Sequence, residues 1–264
     1  MHVEPRVIPV LLIADGRFVK TRRFSDPVYV GDPINVLSIF NDFEVDEIIT
    51  LDIEAAKSRV PQTFELLQHR AEECFIPLAY GGGLTTLEQI GEVFRAGYEK
   101  AVVNSLLSDD PEIVESAASR YGSQAIVASI DVSGSRGERK VKTHGNSQEV
   151  GDSPATWARR AVDLGVGEIL VTAIDHEGTG AGFDLELVRE VTEAVNVPVI
   201  AHGGAGRRSD LALPVEEAGA SAVAAGSLFV FQSQDRGVLI NYPARSQIES
   251  LFRITGEADS GWRP

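Results

Sequence analysis

Apolar residues fall in short runs at 7–13, 47–52, 76–80, 101–104, 125–131, 168–174, 197–202 and 222–225. Between these runs apolar residues recur every three or four positions, the spacing of an amphipathic helix. The clearest helical stretches are 86–96 (TLEQIGEVFRA) and 185–194 (LELVREVTEA), with polar residues between the apolar ones. A strand followed by a helix, repeated, predicts a parallel sheet, because parallel neighbours need a crossover connection. Eight such units in 264 residues, with no linker dividing them, predict one α/β domain, a closed (β/α)8 TIM barrel. The alternative is an open doubly wound sheet.

An internal repeat refines this picture. The segment L-A-Y-G-G-G at 78–83 leads through a helical stretch to A-V-V-N-S at 101–105, and I-A-H-G-G-A-G at 200–206 leads likewise to V-A-A-G-S at 223–227. Leu51-Asp52-Ile53 and Ala173-Ile174-Asp175 recur at a similar offset, so the sequence reads as two related half-barrels of four units each. Residues 133–150 are polar and turn-rich and read as a hairpin inserted after the fifth strand, above the active face. Residues 256–264 are expected to form a frayed tail.

Composition narrows the classes of function. With 24 basic against 39 acidic residues the net charge is −15, which argues against nonspecific nucleic-acid binding and against docking on an anionic membrane. No apolar run approaches the roughly 18 residues that span a bilayer, and residues 1–6 lack the pattern of a secretory signal. A cytoplasmic protein is expected. The single cysteine, Cys74, rules out an intramolecular disulfide and a cysteine-built zinc site, and is expected to be a buried structural thiol on a helix. No cofactor or metal is expected.

The candidate chemistry gathers at strand ends. Gly81-Gly82-Gly83 with Asn104-Ser105, and Gly203-Gly204 with Gly226-Ser227, place glycine turns after strands and before helices, with Gly178 a candidate addition. Backbone N–H groups and the helix dipole suit a phosphate there, although tight turns also need glycine for geometric reasons. Two such turns, related by the repeat, point to a phosphorylated small molecule held at opposite ends of the barrel mouth. Acids near strand ends are Asp52, Asp131, Asp175 and Glu177, with Thr172 beside them. Asp131 is either a general acid or base or a loop cap. Lys20 meets an anion or is a surface lysine, and His202 is a phosphate donor or a packing histidine. Arg6, Glu47, Lys100 and Glu168 stand at strand starts, where alternating charges can close a ring of ion pairs across the barrel floor. Structural stapling is the plain explanation of such a ring.

These residues resemble a known family over nearly the whole chain, to about residue 252. The stretches R-V-I-P, D-G-R-F-V-K, D-E-I-I-T-L-D-I, Y-G-G-G, G-S-Q-A-I-V-A-S-I-D, G-E-I-L-V-T-A-I-D-H-E-G-T and H-G-G-A-G are similar to the cyclase subunit of imidazole glycerol phosphate synthase, the HisF family. The resemblance implies a barrel that works with a glutaminase docked on its bottom face. Ammonia would cross a gate of Arg6, Glu47, Lys100 and Glu168 and run up the interior to a ribulose-type substrate with two phosphates. It also implies that Gly83, Asn104 and Ser105 hold one phosphate, that Gly204, Gly226 and Ser227 hold the other, and that Asp131 is one of two catalytic aspartates.

The second catalytic aspartate falls at Leu12, which can neither give nor take a proton. Glu177 stands where the family usually has Asp, and His202 where it usually has Ser, adding bulk and a candidate positive charge beside a phosphate. A branch of this family encoded with bacterial surface-glycan genes resembles this pattern, including G-D-P-I-N at 31–35. That resemblance implies a subunit passing ammonia to a third, amidating protein that acts on a sugar carboxylate. Two alternatives stay open: a true cyclase using Asp131 with Glu177, Asp52 or water, and a phosphosugar-binding scaffold.

Overall fold

The computed structural model describes residues 5–232 and 237–253; the expected tail at 256–264 lies outside them. The strands are β1 (Arg6–Ala14), β2 (Arg17–Arg22), β3 (Ser25–Gly31), β4 (Ile48–Asp52), β5 (Leu78–Gly81), β6 (Lys100–Val103), β7 (Ile126–Ser133), β8 (Lys140–Thr143), β9 (Gln148–Val150), β10 (Glu168–Ala173), β11 (Val199–His202) and β12 (Ala222–Ala225). Parallel pairing runs from β1 through β4, β5, β6, β7, β10, β11 and β12 and returns to β1, closing an eight-stranded (β/α)8 barrel. All eight strands lie where the apolar runs predict them. Two begin two residues later than the pattern suggests, at Leu78 and Val199, because Pro77 and Pro198 have no N–H to give a ladder. Both prolines still accept through their carbonyls, from Ile48 N–H at 2.9 Å and Ile169 N–H at 3.0 Å.

The helix predicted at 86–96 spans Leu87–Arg95, started by a capping box of Thr86 and Gln89. The one predicted at 185–194 spans Leu185–Thr192 behind an Asp184 cap. No described helix is long and apolar enough to cross a membrane. Cys74 is buried but lies just past the helix Phe64–Glu72 rather than on it, with its Sγ 3.7 Å from the Ile76 carbonyl.

Two antiparallel hairpins stand on the barrel. The β8–β9 hairpin continues β7, as the polar stretch at 133–150 predicts. The β2–β3 hairpin continues β1 and has no counterpart in the apolar pattern, since its runs are interrupted by Arg and Lys. The two rise from the first and fifth barrel strands, the same place in each half.

Two separate apolar clusters result from the strand period of two. Val7, Leu11 and Ile13 face the helices, while Ile8, Val10 and Leu12 face the interior with Ile49, Ala79, Val102, Val127, Leu170, Ile200, Ala222 and Ala224. The same alternation carries Arg6, Glu47, Lys100 and Glu168 to the floor of that interior column and Asn104, Asp131, Thr172 and His202 to its mouth.

Candidate functional site

At the floor the four charged residues meet. Arg6 donates through one guanidinium nitrogen to Glu47 and through the other to Glu168. Lys100 Nζ lies 2.9 Å from both Glu47 oxygens and 2.7 Å from Glu168 Oε2. Each cation therefore bridges both carboxylates, and the ring closes the column from below. Both glutamates are buried, and although burial opposes it, Glu168 and Glu47 hold the Arg6 guanidinium above its ordinary pKa.

At the C-terminal ends of the strands the column opens into a cavity of about 140 Å³. Asp131 points into it from β7. Its carboxyl is pushed up to about 7 by burial, against hydrogen bonds from Ser129 and Thr172, with Glu177 adding to the rise. Asn104 Nδ2 reaches the Ser129 carbonyl at 3.0 Å and Asp131 Oδ2 at 3.3 Å. Thr172 Oγ1 is 3.2 Å from His202 Nδ1. His202 is driven down to about 3, by burial first and then by Lys20, so it is neutral at physiological pH. The positive charge that the sequence raised for this position is absent, and the ring packs inside the mouth.

Leu12 faces the same cavity and is 6% exposed. It lies level with Leu51 on β4 and Val19 on β2, so the apolar column continues through the level at which a second carboxylate would stand. No other mouth acid takes that place. Asp52 accepts from the Glu54 and Ala55 amides at 3.0 and 2.7 Å and from the Gln62 amide, which fixes it as a loop cap. Glu177 is paired with Lys20 and also accepts from Thr21 Oγ1 at 3.1 Å and the Phe24 amide at 3.3 Å. Burial opposes its charge, but Lys20 outweighs burial and its pKa is lowered. Lys20 is thus no surface lysine; it is 2% exposed. Asp175, expected in the mouth, is exposed at the rim and accepts from the Gly134 amide at 2.7 Å, outside the cavity lining.

The two expected phosphate sets separate. Gly83, Asn104 and Ser105 line the mouth cavity, where the tip of the β8–β9 hairpin sits over them: the His144 amide donates to Ser105 Oγ at 3.0 Å. Gly178 and Ser227 line a second cavity of about 920 Å³ beside the mouth. Gly204 and Gly226 lie between loops rather than on either lining. A side chain at Gly204 (φ +113°) would come within 2.0 Å of the Gly182 carbonyl, and one at Gly226 would meet Lys20 Cε at 2.6 Å.

The sequence did not single out Ser129, Thr21, Phe24, Lys57, Arg59 or Asp109, all of which line the mouth. Ser129 was recoverable, being two residues before Asp131 and so on the same face of β7. The others arrive on the β2–β3 hairpin and on the short helices and turns that follow β4 and β6, whose paths the sequence pattern does not set. Chemically, the mouth offers one carboxyl poised near neutrality, a neutral imidazole, a locked ion pair and an apolar wall.

The chain matches the histidine biosynthesis protein family over residues 6–235. It is 44% identical over 248 residues to a Pseudomonas aeruginosa protein provisionally named imidazole glycerol phosphate synthase subunit hisF2, covering 94% of this chain and 99% of that relative. A Leptospira interrogans protein, provisionally named as the subunit HisF of the same synthase, is 39% identical over 252 residues, covering 95% and 99%. Imidazole glycerol phosphate synthase subunit HisF of Alkaliphilus metalliredigens is 39% identical over 228 residues, covering 86% and 90%.

Proposed function

The chain belongs to the histidine biosynthesis protein family as a HisF-type barrel, and from that premise we propose that it receives ammonia from a glutaminase partner and relays it to another acceptor. The glutaminase sits on the barrel floor, and the acceptor is a bacterial surface-glycan sugar amidated on a third protein. The observation that carries this reading is Leu12, packed into the apolar column at the mouth above an intact ring of Arg6, Glu47, Lys100 and Glu168.

Ammonia leaves a glutaminase as a small neutral nucleophile, and a column of aliphatic side chains passes it in that form because a charged ammonium would lose its hydration there. The floor ring gives it a polar entry whose charges cancel pairwise. Cyclisation at the mouth needs a base and an acid on opposite sides of the reacting centre. Asp131 can serve as one; Leu12 can serve as neither.

The names of the relatives favour a second reading, a cyclase of imidazole glycerol phosphate synthase. Its candidate second acids, Asp52 and Glu177, are already held by a loop and by Lys20. The two readings part in one assay. Given ammonium and the ribulose-type bisphosphorylated substrate, the purified chain forms no imidazole glycerol phosphate, while Leu12→Asp gains measurable turnover. Turnover by the unaltered chain would establish the cyclase instead.

A further inference from the structure

His202 is a buried titratable group at the mouth that ammonia relay does not use; it is 5% exposed and lines the cavity there. Thr172 on β10 is in register with Asp131 on β7 and with His202 on β11, so the three stand at one level on successive strands. Thr172 is hydrogen-bonded to the Asp131 carboxyl, and its Oγ1 lies 3.2 Å from His202 Nδ1. A hydroxyl has one proton to give. While it goes to the Asp131 carboxylate, Oγ1 accepts from Nδ1–H and Nε2 keeps a lone pair. Nε2 has no hydrogen-bond partner among the described residues, and the side chain borders the cavity, so that lone pair is left to a ligand.

The charged groups around this row are engaged with one another. Lys20 on β2 and Glu177 on the loop after β10, which act on His202, form a buried pair. Lys142, opposite Asp131 on β8, pairs with Glu149 at 3.3 Å. The Asp131 carboxyl also receives Ser129 Oγ at 3.2 Å and Asn104 Nδ2 at 3.3 Å, and both donors are uncharged. The protons that can move are therefore those of Asp131, Thr172 and His202.

We propose that Asp131, Thr172 and His202 form one proton relay, with His202 Nε2 its ligand-facing end, a base toward an O–H or N–H group of a small molecule bound in the mouth. As that proton reaches Nε2, the Nδ1 proton passes to Thr172 Oγ1 and the threonine proton passes to the Asp131 carboxylate. The ligand keeps the electron pair and the negative charge that Asp131 gives up. His202 is neutral before and after, as its burial requires, since an imidazolium there would lose its hydration. The relay occupies three successive strands, none beside β1, so it does not restore the group missing at Leu12. It goes beyond ammonia relay and does not depend on it.

Nitrogen NMR of the full chain, with isotope-labelled histidine assigned against His202→Asn, tests the relay. Above the Asp131 midpoint, at about pH 7, His202 carries its proton on Nδ1; below it, the Asp131 proton turns the Thr172 hydroxyl toward the imidazole, and the proton sits on Nε2. Thr172→Val, close in shape but without the hydroxyl, abolishes this exchange of tautomers. One tautomer at every pH would overturn the relay, and so would a switch that survives Thr172→Val. Diethyl pyrocarbonate, which acylates an imidazole nitrogen bearing a lone pair, tests the ligand-facing end. Mapped by mass spectrometry on the folded chain, His202 is acylated above the midpoint, and the rate falls about tenfold over the first pH unit below it. A folded chain in which His202 escapes acylation would end its role as a base.

Discussion

Asp131 faces inward because it stands an even number of residues from Val127 on β7, and that parity places a carboxylate among buried groups. An unfolded aspartate titrates near 4, whereas burial lifts this one to about 7. Between those values the folded chain keeps a proton that the unfolded chain has released. The stability tied to the neutral carboxyl is therefore fully present below about pH 4 and is lost as pH rises to about 7. Asp131→Asn, which cannot ionise, is expected to melt above the unaltered chain beyond pH 7, and thermal melts over a pH series should show the gap closing toward pH 4. A gap independent of pH would mean that the carboxyl is not buried as described. Asp131 and its depth in the strand were legible from the sequence, but its environment was not. Thr172, Ser129 and Glu177 approach it across strand neighbours and from a loop, and only folding brings them together.

The hairpins show what an element adds that a strand pattern omits. The β8–β9 hairpin is pinned by Arg139, which reaches Glu190 at 3.0 Å and Asp184 at 2.9 Å on the segment that starts the helix Leu185–Thr192. This guanidinium is nearly buried, so its loss leaves two carboxylates without their cation. Arg139→Ala is expected to cost about 2 kcal/mol in denaturant unfolding, the scale of charge-assisted bonds. It should also raise amide exchange across 133–150 while leaving the barrel strands protected, because the hairpin opens without breaking the ring. The β2–β3 hairpin was missed for a related reason. Its alternation is broken by Arg17, Lys20, Arg22 and Arg23, and it is fixed instead by Glu177, whose carboxylate and carbonyl accept from Lys20, Thr21, Arg23 and Phe24.

For the whole molecule, the floor ring joins four strands that are far apart in sequence, so it staples the barrel as well as lining a passage. Lys100→Ala leaves Glu47 and Glu168 sharing Arg6 alone, and removing one partner of a buried network costs about 3 kcal/mol. If the ring also admits ammonia, the variant in complex with its glutaminase will lose glutamine-fed amidation while ammonium-fed amidation persists. A parallel fall in both would leave the ring a structural staple only.

By itself the sequence predicted the barrel, its two related halves and the places of its eight strands, because apolar runs, helical spacing and glycine turns are local properties of the chain. It also marked Leu12 and the four floor charges. Only the tertiary structure decided that Lys20 and Glu177 are spent on each other, that His202 is neutral, that Asp175 lies outside the mouth, and that Gly83, Asn104 and Ser105 line one cavity while Gly178 and Ser227 line another. Each of these depends on loops meeting across the barrel. Desolvation and ion pairing arise from such meetings, and no spacing along a single strand encodes them.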